Sequence, residues 1–171
     1  MGLGAGMGRS RGPAVGAVAA LLLAGVVACT ETPTGAELQK IEEVTFAPSL
    51  GIDLADFTQL ATGVYYRDDD LGPVDATPAT YGTTPTISFT GWLVDGRVFA
   101  EGSIRFFMGN FEIPLGLEEG LLNQRVGGTR TIIVPPERGL GGVDQVHEEG
   151  VIVVPGGSVL VYEVVVDTVE G

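Results

Sequence analysis

Thr86-Ile87-Ser88-Phe89-Thr90-Gly91-Trp92-Leu93-Val94 runs into Asp95-Gly96 and resumes as Arg97-Val98-Phe99. The first nine residues are rich in β-branched and aromatic side chains with period-two alternation, which fits a pleated, half-buried surface. Asp-Gly is a strong hairpin signal, because tight hairpin turns call for a positive φ that these residues tolerate. A strand over Thr86–Val94 that returns at Arg97–Phe99 therefore anchors an antiparallel sheet. The same pattern recurs on either side. Gly63-Val64-Tyr65-Tyr66-Arg67-Asp68 reads as an earlier strand, followed by a Gly-, Pro-, Asp- and Thr-rich loop over Asp68–Pro85. Thr129–Val134 is another, halted by Pro135-Pro136, neither of which has an N–H to lend to a ladder. Ser158–Val166 is the last. Only Leu115–Gln124 carries helical spacing, with Leu117, Leu121 and Leu122 on one side and Glu118 and Glu119 near its start, where the helix dipole favours acids. These elements make an α+β fold: a curved antiparallel sheet of about five strands wrapped around one short α-helix. No internal repeat is visible.

Nine Lys and Arg against 22 Asp and Glu leave the 171-residue chain at a formal charge of −13. Two of the arginines, Arg9 and Arg11, lie in an acid-free stretch, so the remainder is more acidic still. Duplexes and anionic lipid surfaces repel such a body, which argues against nucleic acid as a partner. An apolar fraction of 44% suits a globular domain rather than a disordered acidic chain. A single cysteine, Cys29, excludes an intrachain disulfide and any zinc site built from several thiolates.

Arg9 and Arg11 precede the uncharged apolar run Pro13–Ala28, which is centred on Leu21-Leu22-Leu23 and ends Val26-Val27-Ala28-Cys29. The run falls short of the about 20 residues that span a bilayer and stops at small residues, as a secretory signal does. An uncleaved anchor helix is the competing reading. Val-Val-Ala-Cys resembles the lipobox of bacterial lipoproteins. That resemblance implies cleavage before Cys29 and a diacylglyceryl group on its thiol. The chain would then be exported and lipid-anchored to the bacterial cell envelope, on the periplasmic face in a cell with two membranes. Several acyl chains, each adding about 0.8 kcal/mol per buried methylene, hold a protein on a membrane whatever its charge. The expected organisation is a lipoprotein signal peptide over residues 1–28, a tether and loosely packed segment over 29–62, and the folded domain over 63–171. Within the tether, Thr30–Gly35 is a polar spacer, Ala36–Val44 has the spacing of a short helix, and Asp53 can cap a turn through Asp56 and Phe57.

Five collinear segments resemble the FKBP-type peptidyl-prolyl isomerases, the macrolide-binding immunophilins. Phe89–Phe99 is similar to their Tyr-Thr-Gly and Asp-Gly hairpin, and Gly116-Leu117-Glu118-Glu119-Gly120-Leu121 to their Gly-Trp helix start. Val126-Gly127-Gly128-Thr129-Arg130 is similar to their Val-Gly-Gly turn, Pro135–Gly141 to their Pro-Pro loop, and Ser158–Val164 to their last strand. The resemblance covers Gly63 to about Asp167. It implies a rotamase that uses no nucleophile, metal or cofactor. X-Pro exchange is slow because rotation breaks amide resonance. An apolar cavity can deny water to the imide carbonyl, grip the prolyl ring and favour the twisted state, and binding that state more tightly than the ground state is sufficient.

The resemblance also implies a site. Phe99 matches the ring that packs on the proline, and Tyr162 stands where a Phe closes the cavity. Ile113 lies in the segment before the helix, and Val153 or Val154 matches an aliphatic residue before the last strand. Phe89 stands for a Tyr, Ala100 for an Asp, Leu117 for the Trp that floors the pocket, and Leu140 for a Tyr. Family members hold a ligand carbonyl with a backbone N–H ahead of the helix. Ungapped counting back from Gly116 puts Pro114 there, and proline has no N–H; an insertion at Leu115 would give the place to Ile113. The expected pocket is thus Phe89, Phe99, Ile113, Pro114, Leu117, Leu140, Val153, Val154 and Tyr162. The implied partners are proline-containing unfolded or flexible polypeptides, with a macrolide as ligand. A catalytically degenerate peptide-binding or chaperone module is the alternative, because Ala100, Leu117 and Leu140 remove a carboxylate, an indole and a hydroxyl.

Other conspicuous residues read as structural. His147 lies in a Gly- and acid-rich loop with no metal-ligand partners. Asp68-Asp69-Asp70 lacks the rest of a calcium loop and reads as a solvated turn. Glu118-Glu119 and Glu148-Glu149 read as surface charge, and Gly127-Gly128 as a turn between helix and strand. Trp92 alternates outward from Phe89 and Gly91, which leaves it to pack against the Phe46–Leu60 segment.

Overall fold

The computed structural model describes residues 36–146 and 152–171, together with Met1. The expected signal peptide and lipobox cysteine, His147 and Glu148-Glu149 lie outside the described residues. The chain divides between Thr32 and Pro33 into two units, and the second, Pro33–Gly171, holds all the described strands and the helix.

Six strands form one antiparallel sheet: β1 (Thr58–Gln59), β2 (Tyr65–Asp70), β3 (Thr84–Leu93), β4 (Val98–Arg105), β5 (Thr129–Val134) and β8 (Leu160–Glu170). Their order is β1-β2-β5-β8-β3-β4. A further pair, β6 (Gln145–Val146) and β7 (Ile152–Val154), stands apart from it. The sheet thus has one strand more than expected, because the two-residue edge strand β1 is too short to show a period. The β3–β4 hairpin turns where Asp95-Gly96 implied. Gly96 takes φ +86° and donates its N–H to the Leu93 carbonyl at 2.9 Å, while Leu93 donates to Arg97. β4 continues six residues past Phe99 to Arg105.

The single α-helix, α1, covers Leu115–Leu121. It ends earlier than its apolar spacing suggested because Asn123 turns left-handed at φ +65°. Arg130 Nη1 also takes the carbonyls of Gly120 and Leu122 at 2.6 and 3.1 Å. A cation at this end of a helix is favoured by the dipole as well. Gly116 and Gly120, one turn apart, face the sheet. A Cβ on Gly116 would lie 2.6 Å from Val134 Cγ1, and one on Gly120 would meet the Ile132 side chain, so glycine is what lets helix and sheet approach this closely.

Strand alternation sorts the apolar residues onto two faces. Towards α1 lies the larger core, including Ile87, Leu93, Ile132, Val134, Leu160, Val164, Leu117 and Leu121. The opposite face carries Tyr65, Ile133, Val161 and Trp92, in register across β2, β5, β8 and β3. Residues expected to lie loosely at the domain edge cover this second face: Ile41, Phe46, Leu50, Ile52, Leu54 and Phe57 pack on it, with Trp92 in the same cluster. Asp53 caps the short turn Leu54–Asp56 through a 3.0 Å bond from the Ala55 N–H. Ala36–Val44 forms turns rather than a helix. It is drawn instead to the residues just before β8, with the Gln39 N–H donating to the Gly157 carbonyl and its Oε1 accepting from the Val159 N–H.

Two acidic motifs also differ from expectation. Asp68 and Asp69 sit in β2 rather than in a solvated turn. Asp68 pairs with the buried Arg130 at 2.6 Å, and Asp69 accepts from the Thr131 hydroxyl at 2.6 Å. Glu118 is fully buried and accepts the Gly109 N–H at 2.8 Å, and Glu119 pairs with Arg138 at 3.3 Å. Both glutamates are structural attachments of α1 and not free surface charge.

Candidate functional site

Cross-strand register sets the centre of the site. Tyr66, Ile132, Tyr162, Gly91 and Ala100 form one rung across β2, β5, β8, β3 and β4, so all five side-chain positions share the face that α1 covers. Gly91 leaves a gap in that rung. Phe99 and Tyr162 fill it from either side: a Cβ on Gly91 would lie 2.8 Å from Phe99 Cζ and 3.2 Å from Tyr162 Cε1. Phe99 reaches this face because it is the extra residue of a bulge. Gly91 opposes Ala100 while Trp92 opposes Val98, and such a bulge re-aims a side chain at the cost of local pairing. The Phe99 and Tyr162 rings meet edge to face, with centroids 5.6 Å apart and planes at 82°, a favourable aromatic geometry. Phe89, two residues along β3, tilts towards Tyr162 at 6.3 Å.

The remaining candidates join the same cluster from other elements. Ile113 comes from the segment just ahead of α1, Leu117 from α1 and Val154 from β7, all three buried. Leu140 and Val153 are half-buried and pack on the same core. Pro114 is the residue before the first turn of α1, with φ −51°, and its carbonyl accepts the Leu117 and Glu118 N–H groups at 2.9 and 3.1 Å. Leu115 is the first residue of an uninterrupted helix. Eight of the nine residues singled out from the sequence therefore converge on one apolar cluster, and Pro114 abuts it. Ile104 on β4, half-buried on that cluster, escaped the sequence reading. Its position could have been found only by following β4 beyond Phe99, where exposed Glu101, Gly102 and Ser103 break the apolar pattern.

Tyr162 is 3% exposed. Burial pushes its phenol well above the ordinary tyrosine range, since the charged form would lose its hydration. A separate cavity of about 320 Å³ lies beyond the other end of α1, lined by Leu60, Tyr66, Glu119, Leu122 and Arg130 among others. It contains none of the nine candidates. Its charged groups are engaged elsewhere, Arg130 with Asp68 and the helix carbonyls and Glu119 with Arg138. Converging aromatic rings, not cavity size, mark the candidate site.

The pattern characteristic of FKBP-type peptidyl-prolyl cis-trans isomerases matches residues 75–167. FK506-binding protein 2 of Aspergillus fumigatus is 34% identical over 98 residues, spanning 54% of this chain and 69% of that protein. Peptidyl-prolyl cis-trans isomerase FKBP11 of Bos taurus is 39% identical over 70 residues, but the match spans only 34% of that protein and 39% of this chain. Among solved structures, AtFKBP13 superposes with a TM-score of 0.58 at 24% identity, covering 64% of this chain and 95% of that one. FkpA from Escherichia coli superposes with a TM-score of 0.57 at 23% identity, covering 72% of this chain and 55% of that one. These two likenesses concern the fold.

Proposed function

The chain belongs to the FKBP-type peptidyl-prolyl cis-trans isomerases, and on that footing we propose that it speeds cis/trans exchange at X-Pro bonds in flexible or unfolded segments of exported proteins. The observation that carries this reading is the edge contact of Phe99 and Tyr162 above Gly91, in the same apolar cluster as Ile113 and Leu117. A prolyl ring against these faces sheds water. The planar amide, which owes its barrier to a charge-separated resonance form, loses more solvation there than the twisted amide does, so the barrier falls. Each 1.4 kcal/mol of that difference is about tenfold in rate.

Two further parts of the reading rest on the sequence. The layout of Arg9, Arg11, the Pro13–Ala28 run and Cys29 supports export and a lipid anchor in the bacterial envelope. The likeness to FK506-binding proteins supports a macrolide as a competing ligand.

A second reading, peptide binding without turnover, draws support from the oriented groups the site lacks. Ala100, Leu117 and Leu140 are aliphatic, and Pro114 has no N–H while its carbonyl serves the helix. The deciding experiment measures exchange of a Leu-Pro or Phe-Pro peptide with the purified protein, with and without a macrolide. Acceleration that the macrolide suppresses establishes the isomerase. No acceleration at micromolar protein, with suppressed aggregation of a reduced client, establishes the binding module instead.

A further inference from the structure

One side chain in the candidate pocket is chemically unlike the rest. Phe89, Phe99, Ile113, Pro114, Leu117, Leu140, Val153 and Val154 carry no hydrogen-bonding side-chain atom, and Tyr162 carries a hydroxyl. Its ring is held between Gly91 and Phe99. Among the described residues none hydrogen-bonds Tyr162 Oη, and burial alone accounts for the raised phenol pKa. Tyr162 keeps 3% exposure, and its hydroxyl is not among the fully enclosed side-chain polar atoms that lack a partner. A hydroxyl with no partner among the described residues, set among apolar side chains, is available to an acceptor that arrives with the ligand. At Pro114, just ahead of α1, the backbone has no N–H to offer.

We propose that the Tyr162 hydroxyl is the hydrogen-bond donor that anchors a bound X-Pro segment, donating to a peptide carbonyl other than the one on the isomerising bond. This rests on the pocket assignment of the preceding subsection. The choice of carbonyl follows from resonance. A donor on the imide oxygen would strengthen the double-bond character of C–N and hold the planar state, whereas a donor on a neighbouring carbonyl binds planar and twisted states alike. Uniform binding of that kind appears in KM and not in kcat. The raised pKa keeps the phenol protonated, and so a donor, throughout the neutral range.

The test compares the purified full chain with Tyr162→Phe. The variant should raise KM for a Leu-Pro peptide about tenfold, which corresponds to about 1.4 kcal/mol, leave kcat within twofold, and melt no lower than the parent. A purely structural role would instead lower the melting temperature and move kcat. In protein labelled at the tyrosine ζ carbon, the resonance missing from Tyr162→Phe should shift when peptide is added. The proposal is overturned if the parent is active and the variant keeps its KM, if kcat alone falls, or if that resonance stays still at saturation. If the parent binds without turnover, the dissociation constant replaces KM and the same outcomes apply. A parent that neither binds nor isomerises the peptide overturns this proposal and the pocket assignment together.

Discussion

Replacing Gly91 by alanine should damage activity far more than stability. The added Cβ would lie 2.8 Å from Phe99 Cζ, 3.1 Å from Phe99 Cε1 and 3.2 Å from Tyr162 Cε1. Carbon atoms prefer about 3.5–4.0 Å, so the nearest ring must retreat by roughly 0.7 Å to reach that range. Tyr162 is 3% exposed and enclosed on both sides of its strand, whereas Phe99 sits half-buried in a bulge on the edge strand β4. Phe99 is therefore the ring that yields. Overpacking of this kind costs about 1–3 kcal/mol, and loss of unfolded-state freedom returns about 0.4–1 kcal/mol. A net loss of up to about 2.5 kcal/mol lowers the melting temperature by no more than about 10–12 °C for a domain of this size. Displacing a binding ring by close to 1 Å can cost on the order of a hundredfold in rate. Isomerisation of an X-Pro peptide should thus drop roughly 10- to 100-fold in kcat/KM, while the circular dichroism spectrum at about 20 °C matches the parent. Activity within twofold of the parent, alongside the expected thermal shift, would refute the idea that the Phe99–Tyr162 juxtaposition forms the working surface.

Three further outcomes are expected from features outside that contact. Arg130→Met strands Asp68 and uncaps the carbonyls of Gly120 and Leu122. With Asp68 a quarter exposed, urea unfolding should show a loss of about 2–4 kcal/mol, and Arg130→Met combined with Asp68→Leu should recover part of it. On the other sheet face, the Tyr65 hydroxyl donates to Glu42 at 2.6 Å, which pushes the Tyr65 pKa up to about 12 and holds Glu42 below the usual glutamate range. A raised pKa contributes stability that is complete below the unfolded value near 10 and vanishes as pH climbs through about 12. Melting temperatures of the parent and Tyr65→Phe should therefore converge between pH 10 and about 12, and a constant gap would contradict the assignment. Cys29→Ser should move the protein from the membrane to the soluble fraction of the cell envelope, and persistent membrane association would exclude the lipid anchor.

What could be read from sequence depended on whether a segment's neighbours are close along the chain. β5 matched its expected span, Thr129–Val134, because Gly127-Gly128 and Pro135-Pro136 bracket a β-branched run. The Asp95-Gly96 turn was equally legible, since a hairpin's signal is local. Segments shaped by distant partners were not. Asp68 and Asp69 look like a turn until Arg130 and Thr131, 62 residues on, draw them into a strand. Glu118 has the helical position of a surface acid, and only the Gly109 N–H explains its burial. Residues 41–57 follow no period because an irregular segment covers the sheet. Motif resemblance singled out residues that share one apolar cluster, yet the reason Phe99 joins it, the bulge opposite Gly91 and Trp92, carries no sequence signal beyond the glycine.

The proposed catalysis between this sheet and its helix rests most directly on Phe99. Exchange spectroscopy at the proline of a Leu-Pro peptide, with the parent protein and with Phe99→Ala at equal folded concentration, reports the catalysed rate itself. Line broadening and exchange are predicted with the parent, and with the variant the uncatalysed rate, tens to hundreds of seconds. A Phe99→Ala protein that exchanges the peptide as fast as the parent would mean that the reaction happens somewhere else on the molecule.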